Sequence, residues 1–302
     1  MRVIFMGTPE FAVPCLKKLC ETEEVICVVT QPDRPRGRGQ SLKPSPVKIF
    51  AQEKNLPILQ PQKIKSPEAV AELKKFRADL IVVVAFGQIL SQEILDLPKF
   101  GCVNVHASLL PKYRGAAPIE WCLINGEKIT GVTTMQMNAG LDTGDILLAR
   151  EIPIGENMIL PELRDELMKI GAELLIETVK NLGEIQPIKQ DNSLSNYAPM
   201  LKKDTGKIDW ACPAREIHNL VRGLYGGAFS FIGGEKFKIW RTKILADKNL
   251  AAGEIKIVDR KFVVGTGDGD LEILEIQAPN GKKIPAADYL NGHKITAEKF
   301  EV

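Results

Sequence analysis

The stretch SPEAVAELKKFRADLIVVVA, residues 66–85, decides the fold. Ser66 offers a hydroxyl to cap a helix, Pro67 suits the first helical position, and Glu68 puts a negative charge in the first turn. The helix so opened leads into Leu80–Ala85, the strongest strand signal in the chain. Such a continuous β-branched run suits a strand covered on both faces. Working outward, Arg2–Met6 and Val25–Thr30 also read as buried strands, with a helix-like stretch from Phe11 to about Cys20 between them. Val103–His106, Thr133–Met137 and Ile146–Ala149 follow as strands, and Ile159–Leu182 carries helical periodicity through Leu163, Leu167, Ile170 and Leu174. This alternation predicts an α/β fold with a doubly wound, mostly parallel sheet. Between residues 31 and 50 interspersed Gly and Pro predict no regular helix.

After Gln186 the texture changes. DNSLSNYAP is polar and ends in proline, as linkers do. Beyond it, Phe229–Ile232, Lys236–Ile244, Glu254–Val258, Lys261–Gly265 and Leu271–Ile276 read as short strands broken by glycine-rich turns, with one helix at Pro213–Val221. That pattern predicts a small β-barrel of the OB type. The expected organisation is a first domain at 1–189, a linker at 190–204 and a barrel domain at 205–302.

Composition bounds the partners. The 302 residues carry 40 Lys+Arg against 38 Asp+Glu, a net charge of +2, which excludes a globally basic nucleic-acid binder. The longest apolar run, Leu80–Phe86, is far below the ~20 residues of a membrane span. The start, MRVIFMGTPEF, reaches Glu10 before any long apolar run, so it does not read as a signal peptide. The cysteines, at 15, 20, 27, 102, 122 and 212, form no CxxC pair and no Cys/His metal-ligand set. They fit a reducing cytoplasm rather than a disulfide framework, and no metal site is expected.

The densest polar chemistry inside apolar sequence is GCVNVHASLLP at 101–111. Strand side chains alternate, so Asn104 and His106 share one face while Val103 and Val105 fill the other. His106 ends its strand, where open α/β sheets place ligands. LDTGD at 141–145 adds an acidic turn entering another strand. An amide, an imidazole and a carboxylate suit acyl transfer: Asn104 donates to a developing oxyanion, His106 exchanges a proton, and Asp142 fixes the imidazole tautomer. The residues alone leave a plainer reading open, a satisfied histidine at a strand end and an aspartate serving its turn. His218 and His293 read as surface residues. Gly7-Thr8-Pro9 brings backbone near a ligand but lacks the glycine spacing of nucleotide-phosphate loops.

Six segments add a resemblance: FMGTPEFA at 5–12, QPDRPRGRG at 31–39, PSPVK at 44–48, VVVAFGQIL at 82–90, NVHASLLPKYRGAAPI at 104–119 and GVTTMQMNAGLDTGDIL at 131–147. Together with IDW at 208–210 and KIW at 238–240, they resemble the methionyl-tRNA formyltransferase family. NVHxSLLPxxRGxxP with LDTGD also occurs in other formyltetrahydrofolate-using enzymes; the QPDRPxGRG loop and the second domain narrow the resemblance to the tRNA enzymes. It implies formyl transfer from 10-formyltetrahydrofolate to the α-amino group of initiator methionyl-tRNA, by a cytoplasmic monomer with no metal and no membrane. The implied catalytic residues are Asn104, His106 and Asp142. Ser108, Leu109, Leu110 and Pro111 are the implied folate-contacting loop, with Phe86 and Gly87 lining the pterin pocket. An acceptor other than tRNA, such as a sugar nucleotide or glycinamide ribonucleotide, and a folate- or RNA-binding protein without catalysis are the competing readings.

Two basic segments bear on the tRNA. Gln31–Phe50 holds Arg34, Arg36, Arg38, Lys43 and Lys48 against the single acid Asp33. It is either a solvated loop or one that closes over the acceptor end, and the resemblance favours closure, with Arg34, Arg36, Arg38 and Lys43 as contacts and Arg38 foremost. Pro199–Lys243 carries nine basic residues, among them Lys203, Lys207 and Arg222, against four acids. Such a patch suits a phosphate backbone. Where the family has an aromatic-proline segment, this chain has GLYGGA at 223–228, so Tyr225 either replaces an RNA contact or packs. The overall charge of +2 is thus an average over basic segments and acidic ones such as Glu162–Glu177.

Overall fold

Seven strands form the sheet on which the site is built: β1 (Arg2–Gly7), β2 (Glu24–Val29), β3 (Ile58–Leu59), β4 (Leu80–Val84), β5 (Cys102–His106), β6 (Ile129–Gln136) and β7 (Ile146–Pro153). The α-helices are α1 (Val13–Thr22), α2 (Pro46–Glu53), α3 (Pro67–Lys75), α4 (Gln92–Leu95), α5 (Pro118–Ile124), α6 (Leu160–Lys180), α7 (Ala214–Gly223) and α8 (Ala286–Gly292). This computed structural model describes residues 1–36, 41–293, 295 and 297–301. The chain divides into two compact units. The first comprises Met1–Gly115, Thr130–Ile152 and Arg164–Ala198; the second comprises Ala116–Ile129, Pro153–Leu163 and Pro199–Val302. The last crossing between them comes after Ala198.

The sheet order is β7-β6-β5-β4-β1-β2-β3. Pairs β1–β2, β1–β4, β2–β3 and β4–β5 are parallel, as the alternating sequence predicts. β5 and β6 are antiparallel, with His106 opposite Thr133. Every residue of β4 and β5 is buried. On one face Ile4, Met6, Ile81, Val83 and Cys102 pack with Val70 and Leu73 of α3 and Ile94 of α4. On the other, α6 packs on the sheet at Gly171, where a Cβ would meet Val105 and Val132 at ordinary contact distances of 3.4 and 3.6 Å. The order reverses beside β1, so the carboxyl ends of β1 and β4 flank the switch point where doubly wound sheets bind ligands.

The 31–50 segment departs from expectation. Arg34–Arg36 pairs antiparallel with Ser41–Lys43, and α2 begins within the segment. Ser45 caps α2 by accepting from Lys48 N at 3.0 Å, with Pro46 behind it. This is the signal that opens α3, where Ser66 accepts from Ala69 N.

The second unit carries an antiparallel sheet of β8 (Phe229–Ile232), β9 (Glu235–Leu245), β10 (Ile255–Val258), β11 (Lys261–Gly265), β12 (Asp270–Gln277) and β13 (Ile284–Pro285). The order β8-β9-β12-β11-β10, with β13 beside β12, makes a half-barrel, open between β8 and β10 among the described residues. Register shifts in β9 around Arg241 let the long strand bend. Trp210 anchors the core: it is fully buried, stacks on Phe300 at 4.9 Å and donates Nε1–H to Ser230 Oγ at 3.0 Å.

His218, expected at the surface, is buried instead. α7 turns it inward, where Nδ1 meets Thr242 Oγ1 at 2.9 Å and Nε2 donates to the Glu156 carbonyl at 3.2 Å. Arg222, one helical turn on, is also buried, and its donors reach Asn219 Oδ1 and the carbonyls of Gly155 and Met158. Burial, aided by the Arg222 and Arg215 charges, lowers the His218 pKa below its ordinary 6.5 despite the opposing pull of Glu156. The unfolded chain therefore takes up this proton first, and His218 withdraws stability as pH falls below about 6.5. Melting temperatures from pH 7.5 to 5.5 should fall more steeply for the parent than for His218→Gln; equal slopes would remove His218 as the cause.

Candidate active site

Asn104 and His106 leave β5 on the face shared with Cys102, at the carboxyl end of the sheet, as strand alternation requires. Both are buried, Asn104 at 8% exposure and His106 at 6%. His106 Nε2 lies 2.9 Å from the Tyr113 carbonyl oxygen. A carbonyl only accepts, so Nε2 carries the proton and a neutral ring keeps Nδ1 bare. Nδ1 stands 3.7 Å from Asp142 Oδ2, longer than a direct hydrogen bond but close enough for strong attraction once the ring is charged. The tautomer is thus fixed by the Tyr113 carbonyl, not by Asp142 as the sequence suggests. No signal in the sequence points to a backbone oxygen.

Asp142 is held from both ends. Its Oδ2 accepts from Gly115 N at 2.8 Å, and its own carbonyl accepts from Gln190 Nε2 at 3.0 Å. Its φ of +52° is left-handed, a conformation aspartate tolerates better than most residues. Gly115 could be nothing but glycine: its φ is +118°, and a Cβ would fall 2.5 Å from the Tyr197 ring and 2.7 Å from the Ala198 carbonyl oxygen. That crowding follows from pairing of Arg114–Gly115 with Tyr197–Ala198.

The expected folate-loop residues divide by role. Ser108 is fully buried and donates to the Lys112 carbonyl at 2.6 Å, so its hydroxyl braces the loop. Thr133 of β6 ties that loop to the sheet, donating to the Ser108 carbonyl and accepting from Leu110 N. Leu109 and Pro111 are part-exposed, and Leu110 is buried after a strand-end turn. Phe86 belongs to the core, at 2% exposure, so its backbone rather than its ring faces the crevice. Its carbonyl accepts from Thr8 Oγ1 at 2.9 Å and Gln31 Nε2 at 3.2 Å. Gly87 beside it is exposed at φ +85°. Thr8 and Gln31, which join β1, β2 and β4 at the switch point, lie within the FMGTPEFA and QPDRPRGRG segments, but nothing in those segments assigns either side chain this bracing role.

Of the basic loop, Arg34 and Lys43 are exposed, while Arg38 lies outside the described residues and Arg36 is described only as the end of its strand. Lys48 is taken up by Asp33 at 2.6 Å; that bond and one from Gln60 hold the Asp33 pKa below the usual carboxylate value. In the second unit Lys203 and Lys207 are exposed, whereas the buried Arg222 leaves the basic patch. Tyr225 packs edge-on to Trp240 at 5.2 Å, and its hydroxyl accepts from Lys283 at 2.9 Å. A cavity of about 450 Å³ along α3, lined by Leu59, Pro61, Ile64 and Leu73, contains none of the Asn104 cluster. Among the described residues no His, Cys, Asp or Glu group is arranged to hold a metal, and no helix is long and apolar enough to cross a membrane.

Comparison with known proteins decides the lineage. Residues 1–179 match the formyl transferase family and residues 200–294 the formyl transferase C-terminal domain. A methionyl-tRNA formyltransferase of Geobacter sulfurreducens is 52% identical over 98% of this chain and 95% of its own length. The chain belongs to the methionyl-tRNA formyltransferase family. Another member, from Acetivibrio thermocellus, is 49% identical over 98% of this chain and 97% of its own. Among solved structures, a sugar 3N-formyl transferase aligns with a TM-score of 0.69 at 22% identity, covering 93% of this chain and 99% of that one. An N-formyltransferase from Helicobacter canadensis aligns with a TM-score of 0.68 at 20% identity, covering 94% and 100%. These two share the fold. The methionyl-tRNA formyltransferase family is thus joined here to a site whose backbone support is now explicit. Gly115→Ala should displace the N–H that holds Asp142 and lower both turnover and melting temperature; a variant that melts and turns over like the parent would show that the strand pair yields easily.

Proposed function

We propose that Asn104, His106 and Asp142 transfer a formyl group to the α-amino group of initiator methionyl-tRNA. The bare Nδ1 of His106, facing a carboxylate at 3.7 Å, carries this reading. 10-Formyltetrahydrofolate supplies the formyl group, and the crevice at the ends of β1, β4 and β5 fits it: the Phe86–Gly87 backbone and the Ser108–Pro111 loop form its walls. No side-chain hydrogen bond ties Asn104 to another described residue, so its buried amide is available to donate to the formyl oxygen.

A free α-amino group titrates near 7.7–8.0, so part of it is protonated at neutral pH and must lose a proton before it attacks. That proton goes to solvent; as the neutral amine then bonds to the formyl carbon, its nitrogen gives one of its two remaining protons to His106 Nδ1, and Asp142 stabilises the resulting imidazolium across the 3.7 Å gap. As nitrogen bonds to the formyl carbon, Asn104 Nδ2–H donates to the oxygen that gains charge. His106 Nδ1–H then returns the proton to the departing folate nitrogen, so one proton is moved and none is left behind. Throughout, the Tyr113 carbonyl holds Nε2–H and keeps the ring aimed.

The acceptor's phosphates fit the exposed Arg34 and Lys43 of the first unit and Lys203 and Lys207 of the second. Neither Lys203 nor Lys207 has a carboxylate partner among the described residues. The domain division at 190–204, a monomeric state and a cytoplasmic setting complete the reading.

Incubating the protein with 10-formyltetrahydrofolate and charged initiator tRNA, beside an amino-sugar nucleotide, tests the acceptor. Formyl-methionine is expected; formylation of the sugar alone would overturn the assignment. Asn104→Ala should cost about 2–4 kcal/mol, mainly in kcat. In a salt titration, Lys203→Ala with Lys207→Ala should make log affinity for tRNA fall less steeply, by about one unit of slope for each lysine that meets a phosphate. An unchanged slope would take both lysines off the interface.

A further inference from the structure

The chemistry assigned to Asp142 depends on a turn that Asn138 braces through Gly140 N and Thr143 Oγ1, but in which two carbonyls find no donor within the turn itself. Residues 141–145 reverse the chain between β6 and β7 through a left-handed aspartate, and the carbonyls of Asp142 and Gly144 need donors. Both receive them from one group: Gln190 Nε2 reaches the Asp142 carbonyl at 3.0 Å and the Gly144 carbonyl at 2.6 Å. A primary amide has two N–H bonds, and here each spans to one side of the turn.

The orientation of that amide is dictated from behind. Arg114 Nε and Nη2 both donate to Gln190 Oε1, at 3.0 and 2.7 Å, and Nη2 also reaches Asn192 Oδ1 at 2.9 Å. Guanidinium has donors only, so the end it grips must be the oxygen, which leaves the NH2 facing the turn. Arg114 is buried at 9% exposure, and its described side-chain partners are neutral amides rather than a carboxylate. A buried arginine placed so is an expensive way to brace a loop, and its geometry fits holding one amide in one orientation.

Three consecutive residues, Tyr113, Arg114 and Gly115, grip the catalytic groups. The Tyr113 carbonyl holds His106 Nε2, Gly115 N–H holds the Asp142 carboxylate, and the Arg114 side chain acts through Gln190 on the Asp142 backbone. We propose that Gln190, oriented by Arg114, is a positioning residue for formyl transfer: it sets the Asp142 turn so that the carboxylate meets His106 Nδ1 at the working separation. Gln190 sits 48 residues beyond Asp142, in the polar stretch that reads as linker. The proposal rests on the catalytic assignment of Asp142 made above.

Gln190→Glu tests it with little change of shape. The glutamate keeps the Arg114 pair but turns the donor facing two carbonyls into an acceptor. In the formylation assay kcat should fall about ten- to a hundredfold, with KM for both substrates and the melting temperature close to the parent's. Gln190→Ala should lose kcat to a similar degree. The Gln190→Glu deficit, unlike that of Gln190→Ala, should narrow as pH falls toward the carboxylate range, where a protonated glutamate donates again. Turnover within about twofold of the parent in both variants would overturn the proposal. So would losses that merely follow a lowered melting temperature and share one pH profile. The parent is assayed alongside: a parent unable to formylate the tRNA indicts the functional reading, whereas an active parent beside unaffected variants indicts this inference alone.

Discussion

β4 and β5 are buried along their whole length between helices on both faces, and this constraint governs where polar chemistry can stand. A side chain in the middle of such a strand meets only hydrocarbon, and an unpaired donor there costs more than a hydrogen bond returns. Polar groups therefore collect at the carboxyl end, where chain leaves the sheet and backbone groups are free to pair with them. Asn104 and His106 lie in the last three residues of β5 for this reason, and the partners of His106 are loop atoms: a carbonyl at Tyr113 and a carboxylate at Asp142. The loops need bracing in turn. Thr133 supplies it for residues 108–110, and Arg114 with Gln190 for the turn at 142–144.

Much of this arrangement is legible in the sequence. The Ser-Pro-Glu start of α3, the β-branched run of β4 and the strand alternation that pairs Asn104 with His106 are local signals, and local signals survive folding. Where the reading failed, the reason was distance along the chain or competition between local rules. Ser45-Pro46 carries the same start as Ser66-Pro67, but neighbouring glycines and prolines outweighed it. The antiparallel β6 follows a strand–helix–strand passage that ordinarily closes parallel. His218 stands among polar neighbours in sequence, yet α7 turns only Arg215 and Glu216 outward and buries the imidazole together with Asn219 and Arg222. The carbonyl that fixes His106 lies inside the 104–119 motif, but a backbone oxygen is present at every residue and carries no signal of its own, and the glutamine that fixes Asp142 belongs to no motif.

The second unit shows how little of a basic segment need face a ligand. Arg222 commits its charge to carbonyls of the 155–158 segment, Arg241 pairs with Glu162, and Lys283 is shared between Glu275 and Tyr225. The two tryptophans of the IDW and KIW motifs also part company. Trp210 is core, whereas Trp240 is half-buried, with Nε1 on Gln277 and its ring beneath Gly226, where any Cβ would fall within 2.4 Å. Gly226 thus serves the tryptophan's footprint, whereas Gly223 makes room for Glu120 and Ile124 of α5.

The left-handed backbone at Asp142 has an evolutionary consequence. Aspartate tolerates it; of the residues that could replace it, most sit there at a cost of roughly 1–2 kcal/mol, and glycine and asparagine are the two principal exceptions. Neither exception carries a carboxylate. The residues that the backbone accepts readily are thus ones that extinguish the charge, while glutamate, which would preserve it, is conformationally disfavoured and a methylene too long for the grip of Gly115. A lineage drifting at this position meets loss of function before it meets a variant of intermediate strength. The turn makes the carboxylate a switch that mutation can throw but not a dial that selection can tune.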